Sequence, residues 1–122
     1  MNSPTSFLTT QNEKIVNGSR EDIFLRGVNL GGWLMMEGYI LYGRDIPEKA
    51  FKRNMLRIYG RKGMADFERK FRNNFVKEDD FKNISDMGFN CIRLPFNHKL
   101  IETGNNGLVY LEKAVEWCER HN

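Results

Sequence analysis

Two short apolar runs that break off sharply, far apart in the chain, constrain this sequence more than any other feature. In Arg26-Gly27-Val28-Asn29-Leu30 the bulky apolar residues alternate with polar or small ones until the double glycine Gly31-Gly32 stops a regular ladder. In Asn90-Cys91-Ile92-Arg93-Leu94-Pro95-Phe96 the apolar character is nearly continuous, which predicts a strand buried on both faces of a parallel sheet. Two parallel strands need a long crossover, usually helical, and the residues between them supply one. From Pro47 to Phe75, basic side chains interleave with Phe51, Leu56, Ile58, Phe67 and Phe71 at helix-like separations, so one or two amphipathic helices are expected. Glu78-Asp79-Asp80 place negative charge in the first turn of a further helix, with Phe81, Ile84 and Met87 as its core face and Gly88 to end it. Beyond the second strand, Leu111, Ala114, Val115 and Cys118 stand at i, i+3, i+4 and i+7 in a helix from Tyr110 to Arg120.

Ahead of these elements, Lys14-Ile15-Val16 and Ile23-Phe24-Leu25 flank the turn-rich residues 17–22 and predict a hairpin, with residues 1–13 as an extension before it. Residues 33–43, dense in Leu, Met and Tyr and punctuated by glycine, read as a packed loop. The order strand, helices, strand, helix points to right-handed βαβ units and leaves two α/β architectures, a barrel or an open doubly wound sheet. A nucleotide-binding open sheet carries GxGxxG or GxxxxGK[ST] at its first turn, and Gly27-Val28-Asn29-Leu30-Gly31-Gly32 matches neither. Length sets a further bound, because 122 residues suffice for one core but are about half of the roughly 250 in a closed (β/α)8 barrel.

The net charge of +3 is too small to indicate a nucleic-acid surface, and no apolar run is long enough to cross a bilayer. Neither a nucleic-acid partner nor a membrane is therefore expected. The basic run from Lys49 to Arg72 is interspersed with Glu48, Asp66 and Glu68 and reads as the solvated face of outer helices. Cys91 and Cys118 form no CxxC pair and are expected as small buried apolar residues, with no metal site and no cofactor. The first ten residues have neither a basic start nor an apolar core, which favours a cytoplasmic over a secreted location, and the triplets at Asn17 and Asn83 read as chance glycosylation matches.

Leu25-Arg26-Gly27-Val28-Asn29-Leu30-Gly31-Gly32-Trp33-Leu34 resembles the first barrel strand of the cellulase-like glycoside hydrolases, glycoside hydrolase family five, and especially its exo-glucanase branch. Asp79-Asp80-Phe81, then Ile84, then Met87-Gly88-Phe89-Asn90-Cys91-Ile92-Arg93-Leu94-Pro95 is similar to that family's first helix and second strand, and Tyr110 to Cys118 to its second helix. The resemblance covers most of the chain from Ile15 onward. It implies an incomplete (β/α)8 TIM barrel in residues 14–122, its first two βα units preceded by a hairpin, and O-glycosyl hydrolysis of a β-glucan-like polysaccharide or oligosaccharide.

Retaining hydrolysis needs one carboxylic acid on the leaving oxygen and a nucleophilic carboxylate about 5–5.5 Å away. The resemblance places both glutamates on later strands, so this chain alone is expected to be inactive, and its unpaired sheet edges and uncovered helix faces predict poor solubility. The resemblance gives Arg93 a supporting role, its guanidinium keeping the nucleophile ionised. An ordinary strand arginine is the alternative, and either role requires a neighbouring carboxylate. The resemblance also implies sugar contacts for Glu37, which can accept two hydroxyls, and for Tyr39, which can stack on a pyranose ring. The sequence has Glu37-Gly38-Tyr39 where many relatives have Glu-Pro-Tyr. Asn29 and Trp33 share the family's residue types, and Asn97 and His98 follow the second strand directly, so all four are candidate substrate contacts. Solvent exposure, core packing or turn hydrogen bonding would explain each of them equally simply. Two other readings remain: a different barrel enzyme, or a non-catalytic carbohydrate-binding or degenerate barrel protein.

Overall fold

The structure, a computed structural model, describes residues 7–102 and 107–121. Its elements are β1 (Thr9–Gln11), β2 (Lys14–Val16), β3 (Gly27–Asn29), α1 (Glu48–Asn74), α2 (Glu78–Asp86), β4 (Cys91–Arg93), α3 (Lys99–Glu102) and α4 (Leu108–His121). The result is an α/β unit in which β1 and β2 pair antiparallel and β3 and β4 pair parallel.

The hairpin differs from expectation. Lys14–Val16 ladders with Thr9–Gln11, inside the presumed extension, across a two-residue turn whose Asn12 takes φ 54. Against the second arm, β2 keeps only a bridge from Val16 to Asp22, just before residues 23–25, and a 2.8 Å bond from the Ile23 N–H to the Ile15 carbonyl. The cause lies in the intervening turn, where the Asn17 side chain accepts the backbone N–H groups of Ser19 and Glu21 at 3.0 and 2.9 Å. That turn returns the chain beside Val16 for one step, after which residues 24–26 leave to meet Asn90. The first six residues of the extension lie outside the described residues.

Asn90 fixes the register of the parallel pair. Its side-chain oxygen accepts the Arg26 N–H at 2.7 Å, its amide donates to the Phe24 carbonyl at 2.8 Å, and its backbone N–H donates to Arg26 at 3.0 Å. The Arg26 guanidinium adds a 2.6 Å bond to the Gly88 carbonyl. With both chains clamped at one end, Gly27 faces Cys91, Val28 faces Ile92 and Asn29 faces Arg93. Glycine suits position 27, because a Cβ would stand 3.1 Å from the Cys91 carbonyl oxygen and press on the partner strand.

The strand around Arg93 is less buried than its composition suggests. Cys91 and Ile92 are half-buried and Arg93 is exposed among the described residues. Composition reports what a strand can bury, whereas burial depends on the layers laid against it, and among the described residues β3 is the one strand that pairs with β4.

In α1, helical geometry breaks at Gly60, with φ 70 and ψ −179. A straight helix would hold Phe51 and Phe67 roughly 24 Å apart, yet their rings are 5.6 Å apart and Lys52 Nζ lies 2.7 Å from Glu68 Oε1. The two arms therefore fold back on each other as a helical hairpin. Phe67, Phe71 and Phe75 continue the stack along the second arm.

The start and end of α2 follow the sequence signals. Asp80 accepts the Lys77 N–H at 2.8 Å, and Gly88, at φ 84, closes the helix with the Phe89 and Gly88 N–H groups on the Ile84 and Ser85 carbonyls. Its core face is narrower than expected, since Phe81 is buried but Met87 is 72% exposed. The face of α4 is also rotated from the expected one. Ala114 is buried and Leu111 packs against the core, but Val115 and Cys118 are exposed, and Tyr110 and Trp117 pack against the core instead. The reason is Trp33, whose buried ring stacks on Trp117 and meets Tyr110 edge-on, at 6.2 and 6.1 Å. Trp33, Leu34, Val76, Phe81, Leu100 and Ala114 form the core. Cys91, half-buried, and Cys118, exposed, are free thiols and not the fully buried residues expected.

Candidate functional site

The site grows from the ends of β3 and β4. Because Asn29 and Arg93 occupy one register position on adjacent parallel strands, their side chains project side by side. Arg93 Nη1 donates to Asn29 Oδ1 at 2.8 Å. The partner of Arg93 is thus an amide oxygen, and no carboxylate lies within ion-pair distance of it among the described residues, so the pairing expected of an ordinary strand arginine is not found there.

After β3 the chain turns at Gly32, with φ 79, and the following loop brings Glu37 back toward the strand end. A Cβ on Gly31 would lie 3.1 Å from Glu37 Oε1 and 3.5 Å from Asn29 Nδ2, so both groups converge on the same side of Gly31. Tyr39 donates its hydroxyl to Glu37 Oε2 at 2.8 Å. That hydrogen bond, reinforced by the Glu37 charge, pushes the Tyr39 phenol above its ordinary pKa, so it remains a donor. The ring is 64% exposed and open to stacking. Residues 37–44 close tightly, with the Gly43 N–H on the Gly38 carbonyl at 2.9 Å. A Cβ on Gly38 would fall 2.1 Å from the Arg44 carbonyl oxygen, which explains why glycine stands in the middle of Glu37-Gly38-Tyr39.

The other candidates separate from this cluster. Trp33 is fully buried, with its indole N–H on the Arg72 carbonyl at 2.9 Å, and serves the core rather than a sugar surface. Asn97 caps the short helix α3 by accepting the Lys99 N–H at 3.1 Å, and its amide faces Glu48 Oε2 at 3.5 Å. His98 is exposed, with Glu102 3.9 Å away.

Sequence reasoning passed over Glu48. Its carboxylate is nearly buried, accepts the Met36 N–H at 3.2 Å, faces Asn97 and pairs with Lys52 at 2.7 Å. It ties the loops after β3 and β4 to the start of α1. The available signal was an acid just after Pro47 at a helix start, and its long-range partners were not legible locally.

No family model matches the chain. It is 30% identical over 123 residues to the beta-xylosidase of Phanerodontia chrysosporium, an alignment covering 95% of this chain and 26% of that protein. It is 32% identical over 107 residues to the probable glucan 1,3-beta-glucosidase A of Emericella nidulans, covering 80% and 26% respectively. With endoglucanase C of Acetivibrio thermocellus it shares 26% identity over 106 residues, covering 81% and 23%. These relatives are glycoside hydrolases, and the chain spans about a quarter of their length.

Proposed function

We propose that this chain forms the first βα units of a (β/α)8 barrel glycoside hydrolase, of family five and its exo-glucanase branch, that cleaves β-glucan-like polysaccharides or oligosaccharides with retention. The observation that carries the reading is the parallel pairing of Asn29 with Arg93, with Glu37 and Tyr39 gathered beside them where the two strands end. Barrel enzymes build their sites at that end of the strands. The cluster offers what a pyranose needs: an amide and a guanidinium to donate, a carboxylate to accept hydroxyls and an exposed ring to stack.

On this reading the acid/base and nucleophilic glutamates come from later strands, and Arg93 stabilises the nucleophile's charge while Glu37 and Tyr39 hold the sugar beside the scissile bond. Asn29 orients Arg93. The test is hydrolysis of aryl β-glucosides and β-xylosides by the full-length protein, with the first-formed anomer read by proton NMR. A retained anomer and a loss in kcat of about a hundredfold in Arg93→Lys are expected. An inverted product, or full activity in that variant, would remove the basis for these roles.

A further inference from the structure

A groove lies outside the cluster, beyond Asn97. An open groove of about 1010 Å³ runs from Asn97 along the two arms of α1 to Leu100 and Tyr110. It starts at the residues that follow β4, the same end of the sheet as Asn29 and Arg93. Its lining holds seven cationic side chains and two carboxylates, a larger positive excess than the +3 of the whole chain, so the positive charge of the molecule is concentrated here.

The two carboxylates are already engaged. Lys52 bridges Glu48 and Glu68 at 2.7 Å each, and Arg72 reaches Glu68 at 3.3 Å. Arg69 turns to Asp66 at 2.6 Å. Lys49, Arg53 and Arg61 have no carboxylate within ion-pair distance among the described residues. Arg72 stands at the back of the groove, its side chain only 8% exposed and held by Glu68. Leu56, Met64, Leu100 and Tyr110 provide an apolar strip beside these charges.

From this geometry we infer that the groove binds the carboxylate-bearing part of an acidic oligosaccharide, whose chain continues from the sugar site past Asn97. Arginine and lysine grip the uronate carboxylates, and the apolar strip receives the C–H faces of the rings. The inference rests on the proposed function, to which it adds a preference for charged glycans.

The test is calorimetric titration of the full-length protein with a tetramer of β-1,4-linked glucuronate, cellotetraose, a glutamate-rich peptide and inorganic phosphate, at low and physiological salt. Arg53 and Arg61 are exposed and outside the sugar cluster, so Arg53→Gln with Arg61→Gln leaves the fold and the neutral-sugar site intact. The glucuronate tetramer is expected to bind more tightly than cellotetraose, and to lose about tenfold in affinity in the double variant while cellotetraose is unchanged. Equal affinity for the two sugars, or insensitivity to the double variant, overturns the inference. Equally tight binding of the peptide or phosphate also overturns it, because the groove would then read charge alone. If cellotetraose binds and is lost in Arg93→Lys without any acidic preference, only this inference fails. If neither sugar binds, the proposed function fails with it.

Discussion

Gly60 offers a clean perturbation of the helical hairpin. Its φ of 70 and ψ of −179 fall in a region open almost only to glycine. An added Cβ finds nothing within 4 Å, so Gly60→Ala creates no clash and isolates the backbone cost, about 1–3 kcal/mol. Against it stand the contacts made by folding back. The Phe51–Phe67 pair contributes about 0.5–1.5 kcal/mol, and the Lys52–Glu68 pair, whose lysine is 31% exposed, under about 1 kcal/mol. The two sides nearly balance. Gly60→Ala should therefore lower stability by about 2 kcal/mol and populate a straightened helix roughly 40 Å long. Urea unfolding measures the first effect. Electron-spin distances between labels at Arg53→Cys and Lys70→Cys, with Cys91→Ala and Cys118→Ala, measure the second. D-alanine placed at the same position by semisynthesis accepts the conformation without strain and should stabilise by about 0.4–1 kcal/mol. If the L- and D-alanine proteins melt alike and keep the same short distance, the hairpin is not set by the backbone of Gly60.

Trp33→Phe should cost about 1–3 kcal/mol beyond the lost ring volume, because the buried Arg72 carbonyl loses its donor; chemical denaturation with near-ultraviolet dichroism reads it, and a smaller effect means that water replaces the indole. Gly38→Ala should open the 37–44 loop and abolish the Tyr39–Glu37 hydrogen bond, lowering the Tyr39 phenol toward its ordinary pKa in a spectrophotometric titration; an unchanged titration would contradict the 2.1 Å approach to Arg44. Glu78 is held below its ordinary pKa of 4.5 by hydrogen bonds from Arg120 and then His121. Its stabilisation is thus complete above that value and disappears as the pH falls through the lower folded value. Glu78→Gln should be less stable than the wild type at neutral pH and equal to it in strong acid; a gap that persists in strong acid would assign the effect to packing.

The strands around Val28 and Ile92, the helix signals at Asp80 and Gly88, and the break in the ladder at Gly31-Gly32 could all be read from neighbours a few residues apart. They rest on local physics: side-chain alternation, charge at a helix terminus, and the conformational freedom of glycine. The relevant forces act within one turn or one strand, so a linear reading suffices for them. The face of α4 could not be read this way, because periodicity permits both Val115 and Trp117 to turn inward, and only the position of Trp33 selects Trp117. The same holds for the candidate site. Residue type marked Arg93, Glu37 and Tyr39, but the bond from Arg93 to the Asn29 amide, and the removal of Trp33 to the core, depend on register and loop closure. Asn90, Glu48 and Gly60 exert their effects on residues far away in the chain, through a clamp, a buried carboxylate and a reversal of direction. Such partners are chosen by packing between elements, and that competition is settled only when the whole chain has folded.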